Sequence, residues 1–311
     1  MIRSFASGLL LVLCGLVVVA PLAGCGGTKK KKPRMTFGDM VEKAKKDGTP
    51  GGPARELAKV ARLQVKSGDK AGAKKTLQEA RSTIADDADP AVFAPRLIEI
   101  AAAYVTVEDK AEARKNADKA VTMAMSLTDP VARVEVLSKA GRIYGGSLGD
   151  ATKAKDNLAK AAEIASGDDV SDRFRPQALA AVALGYANAN LAGDATKVIE
   201  KLETLATSLE ELRPKAEALA AAANVRFKSG EKARAAELLK EAATAAKSID
   251  GSANKTYALI AVANAMIAAG EAKGAAALAT EAEKTAGKIS DADQQKDAMQ
   301  EVRTLEASLK E

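Results

Sequence analysis

The chain reads as all-α: a right-handed α-α solenoid of about six helical hairpins, closed by a C-terminal capping helix. Three observations predict it. A short acidic turn recurs at Asp69, Asp109, Asp150, Asp194, Glu231 and Glu271, at intervals of 40, 41, 44, 37 and 40 residues, and a period of that length marks stacked supersecondary units. Aromatic residues make up only 3% of the chain and Trp is absent, so Ala and Leu, both strong helix formers, must do the packing. Outside the N-terminus there are no β-branched runs bounded by turn residues, which strands require.

The first element is an uncharged stretch from Ser4 to Gly24, preceded by Arg3, with an apolar heart from Leu9 to Ala20. That length suits the apolar region of a signal peptide and is short for a membrane span. It ends in Leu22-Ala23-Gly24-Cys25, which resembles the lipobox of bacterial lipoproteins: an aliphatic residue, two small residues that fit a narrow peptidase cleft, and a nucleophilic thiol. The resemblance implies that residues 1–24 are a lipoprotein signal peptide and that Cys25 becomes the first residue, carrying diacylglyceryl and palmitate-type chains. Each buried methylene contributes about 0.8 kcal/mol, so two or three chains anchor a protein permanently. The expected location is therefore membrane-anchored, on the periplasmic or extracellular face. Gly26 is not the Asp that favours inner-membrane retention in enteric lipoproteins, which leaves either membrane open. Cys14 leaves with the signal peptide, so the mature chain has no free thiol and no disulfide. Five basic residues follow the apolar stretch and one precedes it, the reverse of the usual bias for an exported C-terminal side. An uncleaved span from Phe5 to Ala23, with a cytoplasmic repeat domain, is the alternative.

Residues 25–53 read as a lipidated basic tether and linker. Lys29, Lys30, Lys31, Lys32 and Arg34 stand next to the anchor, where each can add about 1 kcal/mol against anionic headgroups or simply keep the tether soluble and extended. A short helix is expected over Asp39 to Lys46, and Gly48-Thr49-Pro50-Gly51-Gly52-Pro53 marks the border of the folded domain.

Residues 54–311 hold the repeats. In the first unit Leu57, Val60, Ala61 and Gln64 fall on one helical stripe, Gly68-Asp69 makes the turn, and Ala73, Leu77 and Ala80 form the facing stripe. The same offsets give Leu97, Ile100, Ala101 and Tyr104 with Ala113, Ala117 and Ala120 in the second unit. They give Leu219, Ala222 and Ala223 with Ala235, Leu239 and Ala242 in the fifth, and Leu259, Val262, Ala263 and Met266 with Ala275 and Ala282 in the sixth. The third unit fits with a turn one residue longer: Leu137, Ala140, Gly141 and Tyr144, then Gly149-Asp150, then Ala154, Leu158 and Ala161. The fourth keeps Leu184-Gly185 before a turn placed at Gly193-Asp194, and departs at Val198 and Leu205. This layout resembles the tetratricopeptide repeat (TPR), whose first helix carries Leu-Gly and Tyr, whose turn is Gly-Asp and whose second helix carries Ala at the contacts. The period is longer than that family's, and its signature Trp is missing. Pro90, Pro130, Pro176 and Pro214 cluster between units, where Pro opens a helix. Gln294 to Lys310 reads as one amphipathic cap with Met299, Val302 and Leu305 inward.

Composition excludes several functions. The formal charge is +6, but residues 1–36 carry six basic groups and no acid, leaving 41 basic against 41 acidic residues in the remainder. A neutral body with interspersed charges and few aromatic platforms is a solvated helical surface and not a nucleic-acid interface. There is no His, which removes the usual catalytic base and the commonest transition-metal ligand. Asp86-Asp87-Asp89 and Asp168, Asp169 and Asp172 lack the Gly and closing Glu of a calcium loop and read as turns and caps. Lys75-Thr76 lacks the Gly of a phosphate loop, and Gly287-Lys288 lacks both the hydroxyl residue and the upstream Gly. No catalytic residue, metal site or cofactor is expected.

Tyr104, Tyr144, Tyr186 and Tyr257 fall on first helices, which line the concave face in tetratricopeptide proteins. Tyr104 and Tyr144 take that family's packing position, which leaves Tyr186 and Tyr257 as candidates for partner contact. The expectation is a non-enzymatic, membrane-anchored scaffold or adaptor in the bacterial cell envelope, binding a protein partner the sequence does not name. A structural spacer without a specific ligand is the alternative.

Overall fold

The computed structural model describes residues 35–85 and 88–310. In the compact unit that begins at Thr36 every regular element among the described residues is a helix, and no helix there is long and apolar enough to cross a membrane. Its elements are α1 (Phe37–Lys45), α2 (Gly52–Lys66), α3 (Lys70–Ser82), α4 (Pro90–Thr106), α5 (Lys110–Ala124), α6 (Pro130–Arg142), α7 (Ala151–Ser166), α8 (Arg175–Asn188), α9 (Ala192–Ser208), α10 (Leu212–Lys228), α11 (Lys232–Lys247), α12 (Ser252–Ala268), α13 (Ala272–Ala286) and α14 (Ala292–Ser308). Helices α2 to α13 form six hairpins. Thr36 and Asp39 close a capping box on α1, which packs on α2 and buries Ala44, so ordered packing begins ahead of residue 54.

The hairpins stack in two rows. Each first helix (α2, α4, α6, α8, α10, α12) packs on its own second helix and on the first helix of the next unit, ending with α12 on α14. Second helices pack on the first helix that follows, but not to any comparable extent on one another. One row in contact and one row splayed bends the stack toward the first helices, which form the inner face. This is the predicted α-α solenoid.

The six turns are one motif repeated. In five of them a left-handed residue, Gly68, Glu108, Asn190, Gly230 or Gly270, donates its N–H to the carbonyl three residues back. The next residue then donates to the carbonyl five back: Asp69 to Gln64, Asp109 to Tyr104, Leu191 to Tyr186, Glu231 to Arg226 and Glu271 to Met266, at 2.8–3.0 Å. These are Schellman closures, which satisfy the last carbonyls of each first helix. The second residue is also the N-cap of the next helix, and Asp69, Asp109 and Asp150 accept from the backbone three residues on.

The fourth turn differs from the sequence reading. It lies at Asn190-Leu191, and Asp194 sits inside the first turn of α9, where Leu191 is an N-cap with no side-chain bond. The caps are then Asp69, Asp109, Asp150, Leu191, Glu231 and Glu271, a period of 40 or 41 throughout. With this register Ala195, buried, falls four residues after the cap, as do Ala73, Ala113, Ala154, Ala235 and Ala275. The departure assigned to Val198 disappears, and the one assigned to Leu205 moves to the buried Leu202, which stands eleven residues after the cap where the other units have Ala80, Ala120, Ala161, Ala242 and Ala282.

The third turn is longer by one residue, as its sequence required. The extra residue is taken up by a π-helical turn, Ile143–Ser147, after which Asp150 donates to Tyr144, six residues back, at 2.8 Å. Gly145 and Gly146 permit this turn because a Cβ on either would strike Ala189 or the carbonyl of Asn188. Pro90 and Pro130 open α4 and α6, and Asp89 and Asp129 cap them. At the C-terminus α14 buries Ala298, Val302 and Leu305, with Met299 partly covered. Its register places Lys296, Gln300 and Arg303 where α12 has the buried Thr256, Ile260 and Ala263, so the stack ends on a polar face.

Candidate functional site

The inner face changes character along the stack. Ten residues before the turn cap, or eleven across the π turn, stand Lys59, Glu99 and Lys139 and then Ala181, Ala221 and Ala261. At the position seven residues before the cap, or eight across the π turn, are Arg62, Ala102 and Arg142 and then Leu184, Asn224 and Asn264. All twelve are partly or fully exposed. The N-terminal half is thus charged and partly self-paired, with Arg96 on Glu99 at 3.1 Å and Lys139 on Glu135 at 2.5 Å. The C-terminal half is a row of small side chains flanked by Leu184 and then by two amides.

Between α10 and α12 this row opens into a shallow groove of about 250 Å³, lined by Glu217, Ala220, Ala221, Asn224, Ala261, Asn264 and Ala265. The Oδ1 of Asn224 is buried and accepts no hydrogen bond, which for a polar atom costs roughly 1–3 kcal/mol unless a ligand satisfies it. Asn264 repeats that amide one unit further along.

Glu217 also lines a larger cleft of about 710 Å³, bounded by Asp172 and Arg173 from the α7–α8 connection and by Leu205, Ser208, Leu209, Glu210 and Glu211 around the end of α9. Arg213, Pro214 and Asn254 complete it. Arg213 is its fixed wall: Nε donates to Glu217 at 2.8 Å and Nη1 to Asn254 at 3.0 Å. The guanidinium lies 5.1 Å from the ring centroid of Tyr257, within cation–π range.

Of the two tyrosines proposed for partner contact, Tyr257 is half-buried on the inner face, its hydroxyl raised above the ordinary phenol range chiefly by burial. Tyr186 is corrected. It is 5% exposed and takes the Schellman position of Tyr104 and Tyr144, so its ring belongs to the core. Leu22, Ala23, Gly24, Cys25, Lys29 to Lys32 and Arg34 lie outside the described residues, as do Asp86 and Asp87. Asp89 caps α4, and Asp172 pairs with Arg175. Lys75 and Thr76 lie inside α3, and Gly287 ends α13. Among the described residues no three of His, Cys, Asp and Glu gather as a metal site. The sequence reading missed Asn224, Asn264 and Arg213. The signal was present in the two Asn, 40 residues apart at one register position.

No family model matches the chain, and no curated protein is significantly similar. Among solved structures, a chain described as a Podosopora anserina putative kinesin light chain with nearly identical TPR-like repeats matches at 18% identity over 65% of this chain and 99% of that one, with TM-score 0.43. A single-residue variant of that protein matches at 17% over 63% and 95%, again with TM-score 0.43. An assembly chaperone of RpL4 (Acl4) matches at 16% over 81% and 95%, with TM-score 0.29. The solenoid assignment rests on this chain's own helix packing.

Proposed function

We propose that this protein is a non-enzymatic scaffold that holds an extended segment of a partner protein along the inner face of α8, α10 and α12. The observation that carries the reading is the row Ala181, Ala221 and Ala261 beside Asn224 and Asn264, with the Asn224 carbonyl buried and unpartnered. Small side chains let a peptide backbone approach, and side-chain amides can donate to and accept from that backbone. A photocrosslinking residue at Ala221 tests this, with Lys240 on the outer row as control. Adducts to a defined partner at Ala221 alone support the scaffold. Equal labelling at both sites, or none at either, favours a spacer without a specific ligand.

The same proposal places the scaffold at a bacterial membrane, anchored through acyl chains on Cys25 and facing the periplasm or exterior, with the basic tether beside the headgroups. The support is Leu22-Ala23-Gly24-Cys25 at the end of an apolar segment. Mass spectrometry of the native N-terminal peptide decides it. Acylated Cys25 is expected; an intact Met1 moves the protein to the alternative, an uncleaved span with a cytoplasmic repeat domain.

A further inference from the structure

We infer that the partner segment carries a basic side chain, Lys or Arg, which enters the cleft beside Arg213. The inference rests on the groove reading above and names the chemistry of the groove's occupant. Three observations carry it. Glu217 lines both groove and cleft, so a chain lying over Asn224 and Asn264 runs on into the cleft. The acids there are not balanced: Glu217 is taken by Arg213 and Asp172 by Arg175, whereas Glu210 and Glu211 have no ion pair among the described residues. Arg173, which likewise meets no acid among the described residues, stacks on Phe174 at 5.4 Å. Leu205, Leu209 and Pro214 supply an apolar wall of the kind that the methylene stem of Lys or Arg covers while its head stays with the carboxylates. Phe174 and Leu212, 44% and 38% exposed, adjoin the lining residues in the chain and offer contact to an apolar neighbour of the basic residue.

The test uses the full chain in detergent micelles and two fluorescein-labelled peptides, Gly-Ala-Leu-Arg-Leu-Ala-Gly and its counterpart with Glu in place of Arg. Fluorescence anisotropy is expected to give at least about tenfold tighter binding of the Arg peptide, with the preference shrinking as salt rises. The double variant Glu210→Lys, Glu211→Lys is expected to remove or reverse the preference, while Asn224→Ala weakens both peptides alike. Equal binding of both peptides, still weakened by Asn224→Ala, overturns the cleft inference and leaves the groove. An Arg preference lost in the double variant but indifferent to Asn224→Ala upholds the cleft and removes the groove. If neither peptide binds, both fall.

Discussion

The hydroxyl of Tyr144 donates a 2.5 Å hydrogen bond to the carboxylate of Asp118 on the preceding hairpin, and Lys153 reaches the same oxygen at 2.6 Å. Arg226 and Arg234 repeat the arrangement two units on, and both reach Glu203. In each case the side chain that ends a first helix and the third residue after the turn cap grip one acid of the unit before. Hairpins are thus tied across their boundaries by polar contacts as well as by the Ala seam.

Removing that acid at the first site strands a buried phenol. Asp118→Ala is expected to cost about 1–2 kcal/mol by urea denaturation at neutral pH. Burial alone pushes the Asp118 carboxyl up, but Lys153 and Tyr144 together hold it below the ordinary carboxylate value. A lowered folded value means the contribution is complete above about pH 4 and fades as pH falls through the folded value. The gap between wild type and variant should therefore narrow in acid. A gap unchanged at about pH 2 contradicts the assignment.

The phenols act at the other end of the scale. Burial, then the hydrogen bond to Asp118 and that carboxylate's charge, raises the Tyr144 hydroxyl, and burial pushes Tyr104 up to about 12. Raised folded values give stability that is complete below about pH 10 and lost as pH climbs through them. Urea midpoints should fall from about pH 10 upward, and Tyr144→Phe, though less stable at neutral pH, should show a shallower fall. Parallel alkaline curves for the two proteins count against this origin.

Gly141 and Gly185 clamp the fully buried Leu158, and a Cβ on either runs into its side chain. Gly141→Ala or Gly185→Ala is expected to cost about 1–3 kcal/mol by overpacking. Ala154→Leu and Ala235→Leu, both at helix contacts, should cost about as much. The pair Gly141→Ala with Leu158→Val should recover part of the loss, a coupling seen in a double-mutant cycle. Additive losses argue that the clamp is not a shared contact.

The fourth turn gives a test of register that works by gain. Gly193 lies inside α9, its φ is not left-handed, and a Cβ there meets nothing within 4 Å. Gly193→Ala should stabilise by about 0.5–1 kcal/mol, while Leu191→Asp, which supplies the missing cap but gives up a partly buried side chain packed on the core, should gain less than the about 1 kcal/mol of a cap. Were Gly193 the turn residue, as Gly193-Asp194 suggests in the sequence, its replacement by Ala would destabilise. Thermal melts of the two variants distinguish the cases.

The repeat, its helical class and the capping helix were legible because Ala and Leu recur at fixed offsets from an acidic turn. The fourth register was misread because a left-handed Gly was expected, and here Asn190 and Leu191 stand where the other turns have Gly or Glu and then an acid. Asn tolerates the left-handed region, and the buried Ala195 marks the true register. Tyr186 was misplaced by the same slip, since its core role follows from standing five residues before the cap. The groove was hidden for a different reason: Ala is a packing residue in every unit, and only the stacked first helices show which Ala faces outward.

The bend of the stack toward its first helices is measured most directly by distances between spin labels, in a chain whose Cys14 and Cys25 are replaced by Ser. One pair goes at Asn224 and Asn264 on the inner row, and the other at Lys240 and Thr280, one repeat apart on the outer row. Pulsed electron resonance should give a clearly shorter separation for the inner pair than for the outer. Equal separations, or a shorter outer pair, contradict an inner face made by first helices and with it the groove.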